Sequence, residues 1–383
     1  MTCTFSASGA ALAHGAAFAL LSIGLLAGCE HHTRYVDVVF ERFDLAADRT
    51  GLSAVTDSNL VNPMGLQVSP GGNFWVANNA TGTVTVYQPD GTPSPASAPL
   101  VVKLPLPATL AAGSTAQATG IAYYGGYGLE IASGERRASA RFLFATREGT
   151  ILGYNPDVDR ENAVIAVNNS PSGAVYRGLS TLALRSGARL YATNFHSGNV
   201  DVFDESFAPA ADLAPAAFED LELPGGYAPF GIQRVDGRLY VSYAEQDADA
   251  RDPVTGPGKG YIDAFALDGT FVARVASEGE LDAPWGMTLA PWWLPYFGSA
   301  LFVSNVGDGR INAFDLWNGV PLGSLHDLRN EPLAIDGLAD LSFGYYGLEG
   351  EPALYFTAGP NGGQNGAFGT LLTRFIDVDP PAP

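Results

Sequence analysis

Polar residues able to do chemistry recur at two kinds of position in this chain. One set closes short runs of alternating aromatic and small residues: Asn78, Arg147, Asn194, Tyr243 and Asn305, with Ala358 in the sixth copy. Each follows a small or hydroxyl residue, namely Ala77, Thr146, Thr193, Ser242, Ser304 and Thr357. The other set, Asn62, Arg177 and Asp336, stands at or just before the start of another apolar run. Asn62, Asn194 and Asp336 present amide and carboxylate oxygens. Taken with Asn78, Arg147, Arg177, His196, Tyr243 and Asn305, they describe a polar funnel for a cation or a sugar-like ligand. The competing reading of each Asn is a turn residue whose side chain bonds nearby backbone. No residue is assigned a catalytic role.

Other chemistry is excluded by inventory. Between residues 35 and 376 the histidines are His196 and His326, and both cysteines, Cys3 and Cys29, lie near the N-terminus. Disulfides and thiolate zinc sites therefore have no material in the body of the chain, and Gly-x-Ser-x-Gly, His-Glu-x-x-His and Walker-type motifs do not occur in it, which leaves His-triad chemistry poorly supported. His196, in Asn194-Phe-His-Ser-Gly198, is the one histidine expected near the funnel, as a general base or a polar turn residue. The longest insertion, Ala244 to Lys259, carries Glu245, Asp247, Asp249 and Asp252. Its spacing is wrong for a calcium loop, because Asp252 and Gly258 stand where Gly and Glu are needed. It reads as a solvated loop able to act as a lid or partner contact.

Composition points to a turn-rich all-β body. The 383 residues are 46% hydrophobic and 16% charged, with 46 Gly and 26 Pro. A net charge of −20 repels phosphate backbones and argues against a nucleic-acid partner.

The elements that position the funnel come from a repeat. Gly65, Gly120, Gly178, Gly231, Gly286 and Gly337 open successive apolar runs, spaced by 51 to 58 residues. Each unit has room for four strands bounded by Gly, Pro, Asn and Asp. Six such sheets arranged radially form a six-bladed β-propeller of four-stranded antiparallel blades, over residues 35–376. Tyr35-Val-Asp-Val-Val-Phe-Glu-Arg-Phe43 has no unit of its own, so this N-terminal strand is expected to close the last blade and remove an open edge. Two aromatic runs, Trp292–Phe297 and Tyr123–Tyr127, fall on the opposite rim and read as packing.

Residues 1–28 carry no Asp, Glu, Lys or Arg and contain the apolar Phe18–Leu26, too short to span a membrane. Leu26-Ala-Gly-Cys29 resembles the lipobox of bacterial lipoproteins, which implies a signal peptide over 1–28, acylation of Cys29 and a tether over 29–34. Glu30 then implies sorting to the outer membrane of an exported, lipid-anchored protein. Residues 377–383 are expected to be a short tail.

Phrases such as Asn59-Leu-Val-Asn-Pro-Met-Gly65, Gly226-Tyr-Ala-Pro-Phe-Gly-Ile232 and Gly307-Asp-Gly-Arg-Ile-Asn-Ala-Phe-Asp315 resemble an uncharacterised bacterial family of exported six-bladed propellers. Some of its members end in a PEP-type sorting tail. At the level of fold the chain is also similar to NHL and gluconolactonase-type propellers, which hold a divalent metal with Glu, Asn and Asp at the channel mouth. That likeness implies Asn62 and Asp336 as ligands, but the Glu expected at an inner-strand start is replaced by Asn62-Pro-Met-Gly65. Two functions follow as expectations: a binding module for a glycan, small molecule or protein at the mouth, or, as the likeness implies, a metal-dependent lactonase or esterase-like hydrolase with Asn62, Asn194 and Asp336 holding Ca²⁺ or Mg²⁺.

Overall fold

Short runs of β-branched and aromatic residues, broken every few positions by Gly, Asn, Asp or Pro, fold as strands and tight turns rather than helices. The computed structural model describes residues 35–378 apart from 109, 111–112, 186 and 345–351. The expected signal peptide, Cys29 and tether lie outside the described residues, as do residues 379–383 of the tail. Residues Val36–Ile376 form one unit, a ring of six antiparallel sheets.

Blade 1 runs outward through Pro63–Val68, Phe74–Asn78, Thr83–Tyr87 and Val101–Lys103. Blade 2 uses Ala118–Tyr123, Phe142–Thr146, Thr150–Tyr154 and Val164–Asn168, with a small hairpin, Glu130–Ser133 and Arg136–Ser139, inserted after its first strand. Blade 3 has Tyr176–Leu184, Gly187–Asn194 and Asn199–Phe203. Blade 4 has Tyr227–Val235, Arg238–Gln246, Tyr261–Phe265 and Phe271–Ser277, plus a short strand Pro253–Val254 beside Glu245 and Gln246. Blade 5 has Pro284–Leu289, Ala300–Asn305, Ile311–Asp315 and Pro321–Ser324. Blade 6 combines Leu338–Gly344, Ala353–Ala358 and Ala367–Val378 with the N-terminal Tyr35–Ala47, which lies beside Ala367–Val378 and closes the ring.

Each sheet is covered on both faces by its neighbours, so second strands such as Phe74–Asn78 and Phe142–Thr146 are buried at every residue. The core is therefore divided into six wedges, one per seam. Phe142 and Trp75, stacked at 3.8 Å, belong to the wedge between blades 1 and 2. Val38 and Phe40 of the closing strand fill the wedge between blades 5 and 6.

Toward the hub the inner strands crowd together. A Cβ on Gly120 would meet the Arg177 carbonyl at 2.3 Å, and one on Gly231 the Trp285 carbonyl at 2.1 Å, which is why these positions are glycine. In blades 3, 4 and 5 the hydroxyl that precedes the second-strand end is a stitch between blades. Ser242 Oγ accepts the Gly231 N–H at 2.9 Å within its own blade and donates to the Pro284 carbonyl of the next at 2.7 Å. Thr193 does the same between Gly178, at 2.7 Å, and the Phe230 carbonyl, at 2.7 Å.

Two details of the expected repeat are corrected. Leu338, Leu341 and Leu354 register as Pro284, Met287 and Leu301 do in blade 5, so the hub position of blade 6 is Asp340 rather than Gly337. Gly337 lies just before the strand, in a turn at φ +68°. Asp340 accepts the Leu341 N–H and, across the closing seam, the Leu66 N–H of blade 1, each at 2.8 Å. Blade 3 has three strands instead of four. After Phe203 the chain turns on Asp204, whose Oδ1 accepts the Ser206 and Ala208 N–H groups, and the return segment makes a bridge between Pro209 and Phe203 and one bond from the Ala210 N–H to the Val202 carbonyl in place of a fourth strand.

Candidate functional site at the channel mouth

The turns that lead into the inner strands and leave the second strands share one end of the ring. There Asn62, Met64, Asn79, Gln117, Arg147, Arg177, Phe230, Asp252, Pro253 and Val306 line a cleft of about 270 Å³. Its floor is apolar: Phe230 packs edge to face with Trp285 and tilted against Phe195, with Met64 and Val306 against them.

Arg177 rises from this floor. Its guanidinium lies 5.6 Å from the Phe195 ring and 5.5 Å from the Phe230 ring, an arrangement in which both π-faces attract the cation. Burial pulls its pKa down to about 10, and the neighbouring Asp252 opposes that fall. It is still a cation at neutral pH. Arg147, from the end of the second strand of blade 2, is fixed by a 3.1 Å bond to Gln117 Oε1. The Nε atoms of both arginines are buried without a hydrogen-bond partner.

A loop from blade 4 reaches over this pair. Asp252 bridges the guanidinia, one oxygen 3.0 Å from Arg177 and the other bonded to Arg147. Arg177 also donates to the Arg251 carbonyl, and Arg251 donates to the Arg147 carbonyl at 3.2 Å. Asp247 braces the loop from within, accepting the Arg251 and Asp252 N–H groups at 2.8 and 3.2 Å.

The residues singled out from sequence have different placements. Asn62, Arg147 and Arg177 converge on the cleft. Asn62 adopts φ +50°, which Asn tolerates, and donates to Asn79 Oδ1 at 3.2 Å. Asn78 is buried in blade 1, where it donates to Thr85 Oγ1 at 3.0 Å. Asn194 accepts the Val175 N–H at 3.2 Å and donates to Asp201 at 3.0 Å. Asn305 donates to the Glu280 carbonyl at 2.7 Å. Tyr243 is buried in the wedge between blades 3 and 4, its pKa raised by burial and then by Asp263. His196 is exposed beside Gly173, and Asp336 is exposed and accepts the Asn361 N–H at 2.9 Å. Each of Asn62, Asn194 and Asp336 has its own hydrogen-bond partner, and no group of three or more His, Cys, Asp or Glu side chains suited to a metal is present among the described residues.

Sequence reading missed Asn79, Gln117 and the pairing of Asp252. The hydroxyl motif and the lid-length insertion were visible signals, but neither names a partner. On the opposite rim Leu294, Phe297 and Tyr124 pack into the seams as expected, while Trp292, Tyr296 and Tyr127 are exposed.

Fold and mouth together define a six-bladed β-propeller with a polar cleft over an aromatic floor. The chain belongs to the family of two proteins of Acanthamoeba polyphaga mimivirus. It is 33% identical over 332 residues to uncharacterized protein R648, matching 85% of this chain and 78% of that one. It is 32% identical over 335 residues to uncharacterized protein L690, matching 86% of this chain and 84% of that one. These relatives are viral, whereas the sequence led to an expectation of a bacterial family. No family model matches the chain. Similar solved structures include virginiamycin B lyase from Staphylococcus aureus, at 13% identity, TM-score 0.46, and coverage of 88% of this chain and 100% of that one. Another is PQQ-bound aldose sugar dehydrogenase from Streptomyces coelicolor, at 12% identity, TM-score 0.47, and coverage of 89% and 99%. Likeness at this level carries no argument about activity.

Proposed function

We propose that this propeller is a binding module that captures a small polar ligand, or a polar segment of a glycan or protein, in the cleft at the channel mouth. One observation carries the reading. Two guanidinia, one of them almost wholly buried, are held in the cleft wall, and the carboxylate that pairs with them stands on a surface loop rather than in the core. Desolvating such a cation is costly, and a site that binds is one reason to keep it. The aromatic floor provides apolar contact, and Asn62, Asn79 and Gln117 add neutral donors and acceptors at the rim.

The test is ligand-dependent thermal stabilisation across a panel of sugars, sugar acids and peptides, repeated with Asn62→Ala and Gln117→Ala. A stabilising ligand whose effect falls in both variants supports the mouth as the site. A ligand indifferent to both removes it. The hydrolase expected from sequence would need Asn62, Asn194 and Asp336 on one cation; because the cleft is lined by a pair of arginines, we prefer the binding module. Stabilisation by calcium or magnesium that disappears in Asp336→Ala would reverse that preference. We further propose, from the lipobox, that the module is exported and anchored through Cys29 to the outer membrane.

A further inference from the structure

Building on the mouth as a binding site, we infer that it is an oxyanion site, held closed by Asp252 acting as an internal substitute for the ligand's carboxylate or phosphate. The carboxylate of Asp252 already makes the contacts such a ligand would make. Its two oxygens are divided between two guanidinia, the geometry in which arginine recognises planar and tetrahedral oxyanions.

Three features separate this from a structural ion pair. First, the partners differ in exposure. The Arg177 side chain is 6% exposed, whereas Asp252 is 49% exposed, so the anionic half of the pair can be replaced from solvent. Second, the cation does not depend on Asp252 for its position, because Phe195 and Phe230 flank Arg177, and Gln117 fixes Arg147. Third, donor capacity is left over, since the Nε atoms of both arginines are buried and unpartnered. A free oxyanion, able to adjust its position, satisfies donors that a carboxylate tethered to the loop leaves over. The loop is preorganised around Asp247, so displacing Asp252 requires its side chain to swing out rather than the loop to refold.

Binding is then a competition. When the open, competent state is a fraction of the population, apparent affinity falls by that fraction. The two contacts of Asp252, one to each guanidinium and each worth about threefold, together favour the closed state by about tenfold. Removing the Asp252 carboxylate therefore tightens oxyanion binding by about tenfold.

The experiment is isothermal titration of the folded protein with galacturonate, acetate and inorganic phosphate as anionic probes and galactose as the neutral probe, at fixed ionic strength. It compares wild type, Asp252→Ala, and Asp252→Ala combined with Arg147→Gln, each checked for native near-UV circular dichroism. The expected result is galacturonate and acetate bound about tenfold more tightly by Asp252→Ala than by wild type, the gain being lost on adding Arg147→Gln. The same pattern with phosphate alone would support the site and assign it to phosphoryl ligands. Equal anion binding by Asp252→Ala and wild type would overturn the inference, as would a gain that survives Arg147→Gln. If galactose binds and Asn62→Ala weakens it while the anions show no gain, the oxyanion inference falls and the binding mouth stands. If no probe binds any variant, both fall.

Discussion

Asp340 gives the sharpest stability prediction. It is the non-glycine in the ring of hub positions, and it lines a small central cavity of about 60 Å³ together with Gly120, Gly178, Gly231 and Gly286. Burial raises its pKa from the ordinary 3.8 to about 7, against the opposing effect of the Leu66 and Leu341 N–H groups. The folded state thus holds this proton more tightly than the unfolded chain. Its contribution is complete below about pH 4 and is lost as pH rises through about 7. At about 1.4 kcal/mol per pH unit, the change across that window is about 4 kcal/mol. That figure is an upper bound, because the cavity has room for a few waters that would solvate the carboxylate. Asp263, whose pKa burial also raises to about 7, titrates in the same direction, so the wild-type curve alone does not isolate Asp340. The assay is urea unfolding of wild type and Asp340→Asn between pH 4.5 and 7.5. Asp340→Asn loses one of the two accepted N–H bonds, a cost of about 1–3 kcal/mol that does not vary with pH. The wild-type advantage should therefore shrink, and can invert, as pH rises. A difference between the two proteins that stays flat across the range would refute the reasoning.

Three further outcomes follow. Arg274 lies between Asp220 and Asp263, so Arg274→Met leaves two buried carboxylates without their cation and should cost about 3–5 kcal/mol at pH 7.5, with part of the loss recovered at pH 5. Phe40, on the strand that closes blade 6, is 1% exposed, and Phe40→Ala should cost about 3–5 kcal/mol in the same unfolding assay, whereas an unlatched closing strand would make it nearly neutral. If Cys29 carries lipid, Cys29→Ser should move the protein from the membrane fraction to the soluble fraction of an expressing bacterium, and an unchanged distribution would remove the anchor.

The ring was legible because close approach of neighbouring inner strands demands glycine at a fixed place in each unit. The Cβ of any other residue at Gly65 would lie 2.4 Å from the Thr119 carbonyl. The phase slipped in blade 6 because Asp340 occupies that place, where its carboxylate bonds across the closing seam instead of clashing. The strand-end amides were read as a funnel because spacing locates a backbone position and not the direction of a side chain. Asn78, Asn194 and Asn305 turn back onto their own or adjoining segments and satisfy groups there. The pairing of Asp252 with Arg147 and Arg177 joins residues 105 and 75 positions apart across the channel, a contact that no local pattern encodes.

The most direct measurement is a crystal structure of Asp252→Ala soaked with galacturonate. A carboxylate seated between Arg147 and Arg177, with the sugar ring over Phe230, is the predicted result. An empty mouth with the ligand bound elsewhere on the ring, or the sugar held with its carboxylate turned away from both arginines, would contradict it.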